Sequence, residues 1–243
     1  MRKFLYILYQ PYKWLVFVPF LVFSTLFFSV IAVFIASVFS QKAAGYCGTI
    51  WARLNAFFTP VFVSVEGKKN IKKNTSYIIV SNHQSYYDIF LIYGWLGVDI
   101  KWVMKKELRK VPGLGISCEK IGHIFIDRSN TQVAIESMNK VKQKLVNGTS
   151  VVIFPEGTRT TTGELSPFKR GAFKMAFDVG LSILPVTLVG TMDILPTRSF
   201  NLLPGKAKMV IHEPVPISNY DESEIDKLIA DVSAIISSPL KLK

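Results

Sequence analysis

The stretch YIIVSNHQSYYD, residues 77–88, sets the fold. A short apolar, β-rich run from Tyr77 to Val80 follows a polar turn and then breaks into a loop of Asn, His, Gln and Ser that closes on an acid, Asp88. An apolar strand that empties into a loop dense with chemical groups is how α/β sheets place function, because ligands gather beyond the strand ends. Two more stretches repeat the pattern. GHIFIDR, residues 122–128, carries an Asp-Arg pair after an apolar triplet, and FPEGTR, residues 154–159, follows the run Ser150 to Ile153.

Outward from these loops, strands are predicted at Val61–Val65, Lys101–Met104, Ile124–Ile126, Val151–Phe154, Ile183–Val189 and Met209–Ile211, in addition to Tyr77–Val80. Helical spacing lies between them. Thr131 to Val146 places Ala134, Met138, Val141 and Leu145 on one face, with Gly148 as a stop. Lys169 to Val179 places Ala172, Met175, Ala176 and Val179 together before Gly180, and Ile225 to Ile236 forms a last helix. Strands that alternate with helices predict an α/β domain over 61–243, with a central, largely parallel or mixed sheet flanked by helices. The loops that carry chemistry fall within 77–190.

Residues 1–60 read differently. Val16 to Phe39 is an uncharged run that, as a helix, reaches about 36 Å, enough for a hydrocarbon core of about 30 Å. Ala43 to Phe58 carries Ile50, Leu54, Phe57 and Phe58 on one face, reaches only about 24 Å and fits an interfacial amphipathic helix. Together they predict an N-terminal membrane anchor of apolar and amphipathic helices. Basic residues flank both sides of the apolar run, so one full span and a re-entrant pair in one leaflet both remain open. The net charge of +12 points to an acidic partner, and its distribution chooses which. No Asp or Glu occurs before Glu66, while Arg2, Lys3, Lys13, Lys42 and Arg53 flank apolar segments. That is a pattern for anionic lipid and not the basic stripe of a nucleic-acid binder. Cys47 and Cys118 form no framework and read as two reduced thiols; no metal-ligand spacing occurs. The sequons at Asn74 and Asn147 read as turns.

The first loop holds one of only three histidines, His83, five residues before Asp88. On one helix those side chains diverge by about 140°. In a strand–turn–helix, Asp88 sits in the first helical turn and can point back at the imidazole, fixing its tautomer so that the other nitrogen accepts a proton. Ser85-x-x-Asp88 also has the outline of a capping box, a reading compatible with the dyad. In the second loop, Arg128 suits a phosphate or else forms a surface pair with Asp127. In the third, Pro155 sets the turn and Gly157 permits positive φ. Arg159 suits a phosphate, and Glu156 can orient Arg159 or bond a glycerol hydroxyl. Lys169 and Arg170 then place positive charge at a helix start, where an anion nearby would explain it.

These loops resemble the glycerolipid acyltransferase family, specifically its bacterial-type 1-acyl-glycerol-3-phosphate acyltransferases. NHQSYYD at 82–88 matches the HxxxxD block, GHIFIDR and FPEGTR match the second and third, and ILPVTLVG at 183–190 resembles the fourth. The resemblance covers roughly Tyr77 to Gly190. It implies a fatty acyl transfer from acyl-CoA or acyl-carrier protein, as co-substrate, to the 2-hydroxyl of a lysophospholipid phosphate, giving phosphatidate at the cytoplasmic face of the cell membrane. By the same resemblance His83 and Asp88 are the catalytic pair. Arg128, Glu156 and Arg159 belong to the acceptor site, and Gly157 and Thr158 shape its loop. No metal or resident cofactor is implied. Lys105 or Lys106 is the candidate oxyanion donor, with backbone N–H groups as the alternative. The rivals are acyl transfer to a different acceptor, a thioesterase or lipase, and a non-catalytic membrane-binding protein. The second lacks a GxSxG elbow.

Overall fold

The computed structural model describes residues 2–127, 145 and 147–241. The predicted Thr131–Val146 helix lies outside them, apart from Leu145, and so does Arg128.

Seven strands form one sheet: β1 (Val61–Glu66), β2 (Ile78–Ser81), β3 (Asp99–Lys105), β4 (Ile124–Ile126), β5 (Thr149–Ile153), β6 (Ile183–Val189) and β7 (Gly205–Ile211). Their spatial order is β1-β7-β6-β2-β5-β3-β4. Every neighbouring pair is parallel except β6 with β7. All seven predicted strands are present within a few residues of their expected ends. Strand β2 is buried along its whole length, as a continuous apolar run at the centre of a covered parallel sheet should be. Its side chains alternate between two cores. Ile79 joins Tyr87, Leu91, Trp102 and Leu184 on one face, while Ile78 and Val80 join Phe173, Ala176, Leu228 and Val232 on the other.

Helices fill both faces. The first core takes α4 (Tyr87–Trp95), and the second takes α6 (Gly171–Val179) and α8 (Ile225–Ser237), with α5 (Leu114–Ile121) and a short α7 (Thr191–Ile194) at the margins. The expected turns at the sequons are present: Asn74 and Asn147 adopt φ of 58° and 53°.

The N-terminal region is a helical hairpin. Helix α1 (Arg2–Tyr12) runs through a π-helical turn at Lys13–Phe17 into α2 (Val18–Val38), and α3 (Gln41–Phe58) folds back. Ser40 caps α3, its Oγ accepting from the Ala43 N–H at 3.0 Å. The stretch Tyr6–Val38 is long and apolar enough to cross a membrane, and it begins earlier than the predicted Val16. The hairpin inverts the pattern of a soluble helix. Phe23, Val30, Phe34, Ile50, Leu54 and Phe57 are exposed, whereas Ala32, Ala44, Cys47, Ala52 and Ala56 are buried. Small residues on the inner face let the helices approach closely, and large apolar ones face outward, as association in lipid favours. Phe58 departs from the predicted face, stacking inward on Phe20 at 3.7 Å. The hairpin is fastened to the α/β domain along its middle. Ser117 Oγ of α5 donates to Ser29 Oγ of α2 at 3.2 Å, and Arg53 Nε of α3 donates to the Gly94 carbonyl at 2.8 Å. Cys47 and Cys118 are both free and buried, and burial pushes the Cys118 thiol up to about 12.

Candidate active site

Parallel strands send all their C-terminal ends to one edge, so the loops after β2, β5, β3, β4 and β6 meet there. Strand β2 pairs with β5 in the register Ile78↔Val151 to Val80↔Ile153. The residues that follow, 81–88 and 154–160, are therefore side by side.

His83 and Asp88 do meet. His83 Nδ1 stands 2.7 Å from Asp88 Oδ2. The same oxygen accepts the backbone N–H of Gln84 at 2.7 Å and of Ser85 at 2.8 Å. An acceptor-only carboxylate fixes Nδ1 as the protonated nitrogen and leaves Nε2 as the proton acceptor. Asp88 is fully buried, and its Oδ1 has no partner among the described residues. Cap and dyad are one device: Ser85 Oγ accepts from Tyr87 N–H at 2.9 Å while Asp88 reaches back to Ser85 N–H. The capping contacts are what aim the carboxylate.

The imidazole is held on its face as well as its edge. Phe154 stacks on the His83 ring with centroids 3.8 Å apart and planes 9° off parallel. The ring is 12% exposed, enough for a reactant to reach it from one side. Asn82 anchors the loop from behind: its side chain accepts from Leu188 N–H at 2.8 Å and donates to the Leu188 carbonyl at 2.9 Å. Ser85 Oγ donates to the Leu195 carbonyl at 2.6 Å, and Thr197 Oγ1 donates to the Gln84 carbonyl at 2.8 Å.

Glu156 does something other than the two roles expected from the sequence. Its Oε1 accepts the His83 backbone N–H at 2.7 Å and its Oε2 accepts the Ser166 N–H at 2.9 Å. Both oxygens are engaged and the side chain is buried. It clasps the β5 loop to the β2 loop, with Thr160 N–H donating to the His83 carbonyl at 3.0 Å as a second tie. Burial raises the Glu156 carboxyl above the usual carboxylate range, and the two backbone amides pull it partly back.

The cations divide. Arg159 lies with its guanidinium carbon 3.5 Å from the centre of the Tyr86 ring, and its buried Nε has no hydrogen-bond partner among the described residues. Gly157 adopts φ of 77°, and Lys169 Nζ packs so close that a Cβ on Gly157 would stand 2.8 Å from it. Gly157 and Lys169 are therefore neighbours, and Thr158 between Gly157 and Arg159 is exposed. Lys105 stands apart. Its exposed ammonium lies 3.5 Å from Glu107, and Lys106 is bonded to Asp127. Neither lysine makes a contact with His83 that would assign it an oxyanion role. Nor does His123 belong to the chemistry: one ring nitrogen meets Tyr93 OH at 3.0 Å and the other lies 3.4 Å from Trp102 N–H. Among the described residues no cluster of His, Cys, Asp or Glu could hold a metal ion.

Four residues that shape this site had no role assigned from the sequence: Asn82, Tyr86, Phe154 and Ser166. The first three lie inside the quoted blocks, and their position there was the available signal. Ser166 had none, because only its backbone N–H acts.

Comparison with known proteins agrees with this geometry. The sequence profile of the family described as Acyltransferase matches residues 62–189. A chloroplastic 1-acyl-sn-glycerol-3-phosphate acyltransferase of Arabidopsis thaliana is 32% identical over 186 residues, covering 75% of this chain and 51% of that protein. The alpha form of Homo sapiens is 32% identical over 167 residues, covering 68% and 59%. The chain thus spans about half the length of the curated relatives it matches. A crystal structure of the 1-acyl-sn-glycerophosphate (LPA) acyltransferase PlsC of Thermotoga maritima superposes with a TM-score of 0.82 at 29% identity, covering 100% of this chain and 99% of that one.

Proposed function

Because this chain belongs to the Acyltransferase family, we propose that it moves a fatty acyl group from a thioester carrier to the 2-hydroxyl of 1-acyl-glycerol-3-phosphate. The observation that carries the proposal is the 2.7 Å contact of His83 Nδ1 with buried Asp88, beside a loop whose Arg159 has no carboxylate partner among the described residues. His83 Nε2 takes the hydroxyl proton as that oxygen attacks the thioester carbonyl. The new C–O ester bond forms, the C–S bond breaks, and the proton passes from the imidazolium to the departing thiolate. Base assistance of this kind contributes about 10²–10⁴-fold. Asp88 steadies the imidazolium while it exists. Arg159 and Lys169 grip the acceptor phosphate, with Gly157 and Thr158 forming the turn between strand and cation. Arg128 is assigned to the same phosphate by its place in the GHIFIDR block. The donor is acyl-CoA or acyl-carrier protein.

The exposed apolar hairpin seats this site at a lipid surface, on the cytoplasmic face where such donors are made. Of the two arrangements the sequence left open, packing favours insertion into one leaflet. Ser29, halfway along α2, is bonded to Ser117 of the α/β domain. A spanning α2 would carry that domain's polar side chains to mid-bilayer, where an ionised group costs about 3 kcal/mol or more. Chemistry at the interface also avoids extracting a lipid tail, at about 0.8 kcal/mol per CH₂.

The test is direct. Purified chain in mixed micelles, given a radiolabelled acyl thioester and lysophosphatidate, forms phosphatidate, and His83→Ala abolishes the product while leaving the chain folded by circular dichroism and its vesicle binding intact. A His83→Ala protein with wild-type turnover would overturn the assignment.

A further inference from the structure

We propose that Tyr86 is a positioning and specificity-determining residue, which holds the Arg159 guanidinium edge-on to the acceptor phosphate. The inference rests on the acceptor reading above. Tyr86 and Tyr87 are adjacent but face opposite ways. Tyr87 is buried in the core, whereas the Tyr86 ring is 48% exposed and emerges at the start of α4, three residues after His83. That ring lies under the Arg159 guanidinium at 3.5 Å, well inside the roughly 6 Å reach of a cation–π contact. Tyr86 comes from the β2 loop and Arg159 from the β5 loop, so the stack ties the base-bearing loop to the cation-bearing loop from the solvent side. Glu156 ties the same two loops from the buried side.

A guanidinium binds phosphate through N–H groups that lie in its own plane. An aromatic ring on one face leaves that plane free while removing the rotational freedom of a long side chain and excluding water from the covered face. A carboxylate would hold Arg159 too, but it would occupy the donors and oppose an incoming anion. No carboxylate of the described residues pairs with Arg159, and its buried Nε–H lacks any partner there. The arrangement is that of a cation oriented and left unneutralised. It fixes where the phosphate sits relative to His83, and so which hydroxyl is presented to Nε2.

The experiment measures KM and kcat for Tyr86→Ala, Tyr86→Phe, Arg159→Ala and the double variant, with lysophosphatidate and separately with uncharged monoacylglycerol as acceptor, the melting temperature serving as a check on folding. Tyr86→Ala is expected to raise KM for lysophosphatidate about 2- to 30-fold, the range of a cation–π contact, to change KM for the thioester less than twofold, and to narrow the preference for the phosphorylated acceptor. Tyr86→Phe, which keeps the ring, restores the wild-type values, and adding Tyr86→Ala to Arg159→Ala raises KM no further. If Arg159→Ala raises KM for lysophosphatidate and Tyr86→Ala in a folded protein does not, the positioning role is overturned and the phosphate site stands. If Arg159→Ala itself leaves that KM unchanged, the phosphate reading of Arg159 fails, and the Tyr86 inference with it.

Discussion

Replacing Asp88 by Asn tests the site with the least change in shape. All three hydrogen bonds to this side chain converge on one oxygen, Oδ2, from His83 Nδ1, Gln84 N and Ser85 N. An amide can place its oxygen there and keep all three, with its NH₂ at the Oδ1 position. The loop should therefore hold, at a stability cost of about 1–3 kcal/mol for one buried, unpaired donor group. That is about 2–12 °C of melting temperature for a chain of this size. The catalytic loss is larger. In the transition state the imidazole is positive, and a carboxylate whose charge centre lies about 4 Å away attracts it by about 4 kcal/mol at an effective dielectric constant of 20. Loss of that attraction lowers kcat by about 10³-fold, with KM for both substrates within threefold because neither substrate touches Asp88. Single-turnover transfer from a labelled acyl thioester in mixed micelles, at a temperature where circular dichroism shows the variant folded, reads the number. An Asp88→Asn protein that retains a third or more of wild-type kcat would refute the reasoning, since the charge facing His83 would then have no part in the chemistry.

Phe154→Ala removes the ring that stacks on His83; stacked pairs contribute about 0.5–1.5 kcal/mol beyond burial, so kcat is expected to fall by about 2- to 12-fold through loosened imidazole orientation, with Phe154→Tyr close to wild type in the same assay. His212 is half-buried and its imidazole is held below the ordinary value of 6.5 by desolvation. The unfolded chain then binds the proton more readily than the folded one, so stability falls as pH drops through about 6.5 and is fully present above it. Chemical denaturation in detergent at a series of pH values checks this, and His212→Gln should flatten that acid limb. At Gly115 an added Cβ would stand 2.0 Å from the Arg109 carbonyl oxygen, a backbone atom that cannot yield. Gly115→Ala is expected to push α5 away from the 106–110 turn and lower the melting temperature by about 2–12 °C, from the 1–3 kcal/mol typical of overpacking; an unchanged melting temperature would show that α5 does not need this close turn.

The sequence alone determined the strands, because each is a short apolar run bounded by turns, and a fully covered sheet asks for nothing subtler. It also singled out the candidate loops, 82–88 and 154–159, as polar clusters directly after apolar strands, and the pairing of β2 with β5 brings those two loops side by side. Helix α4 was legible only at its first turn: YDIFLIYGW is apolar all round, so no periodicity marks a face, and the cause is that it is sandwiched between the sheet and α3. What the side chains do inside the loops was decided by tertiary structure. Glu156 and Arg159 lie three residues apart and read as a pair, yet one turns inward to backbone amides of His83 and Ser166 and the other outward onto Tyr86. Periodicity reports burial, which is a property of one residue and its solvent. Hydrogen bonds and ring contacts depend on partners brought together by strand order, and the adjacency of β2 and β5 is a long-range fact that no local stretch of the chain contains.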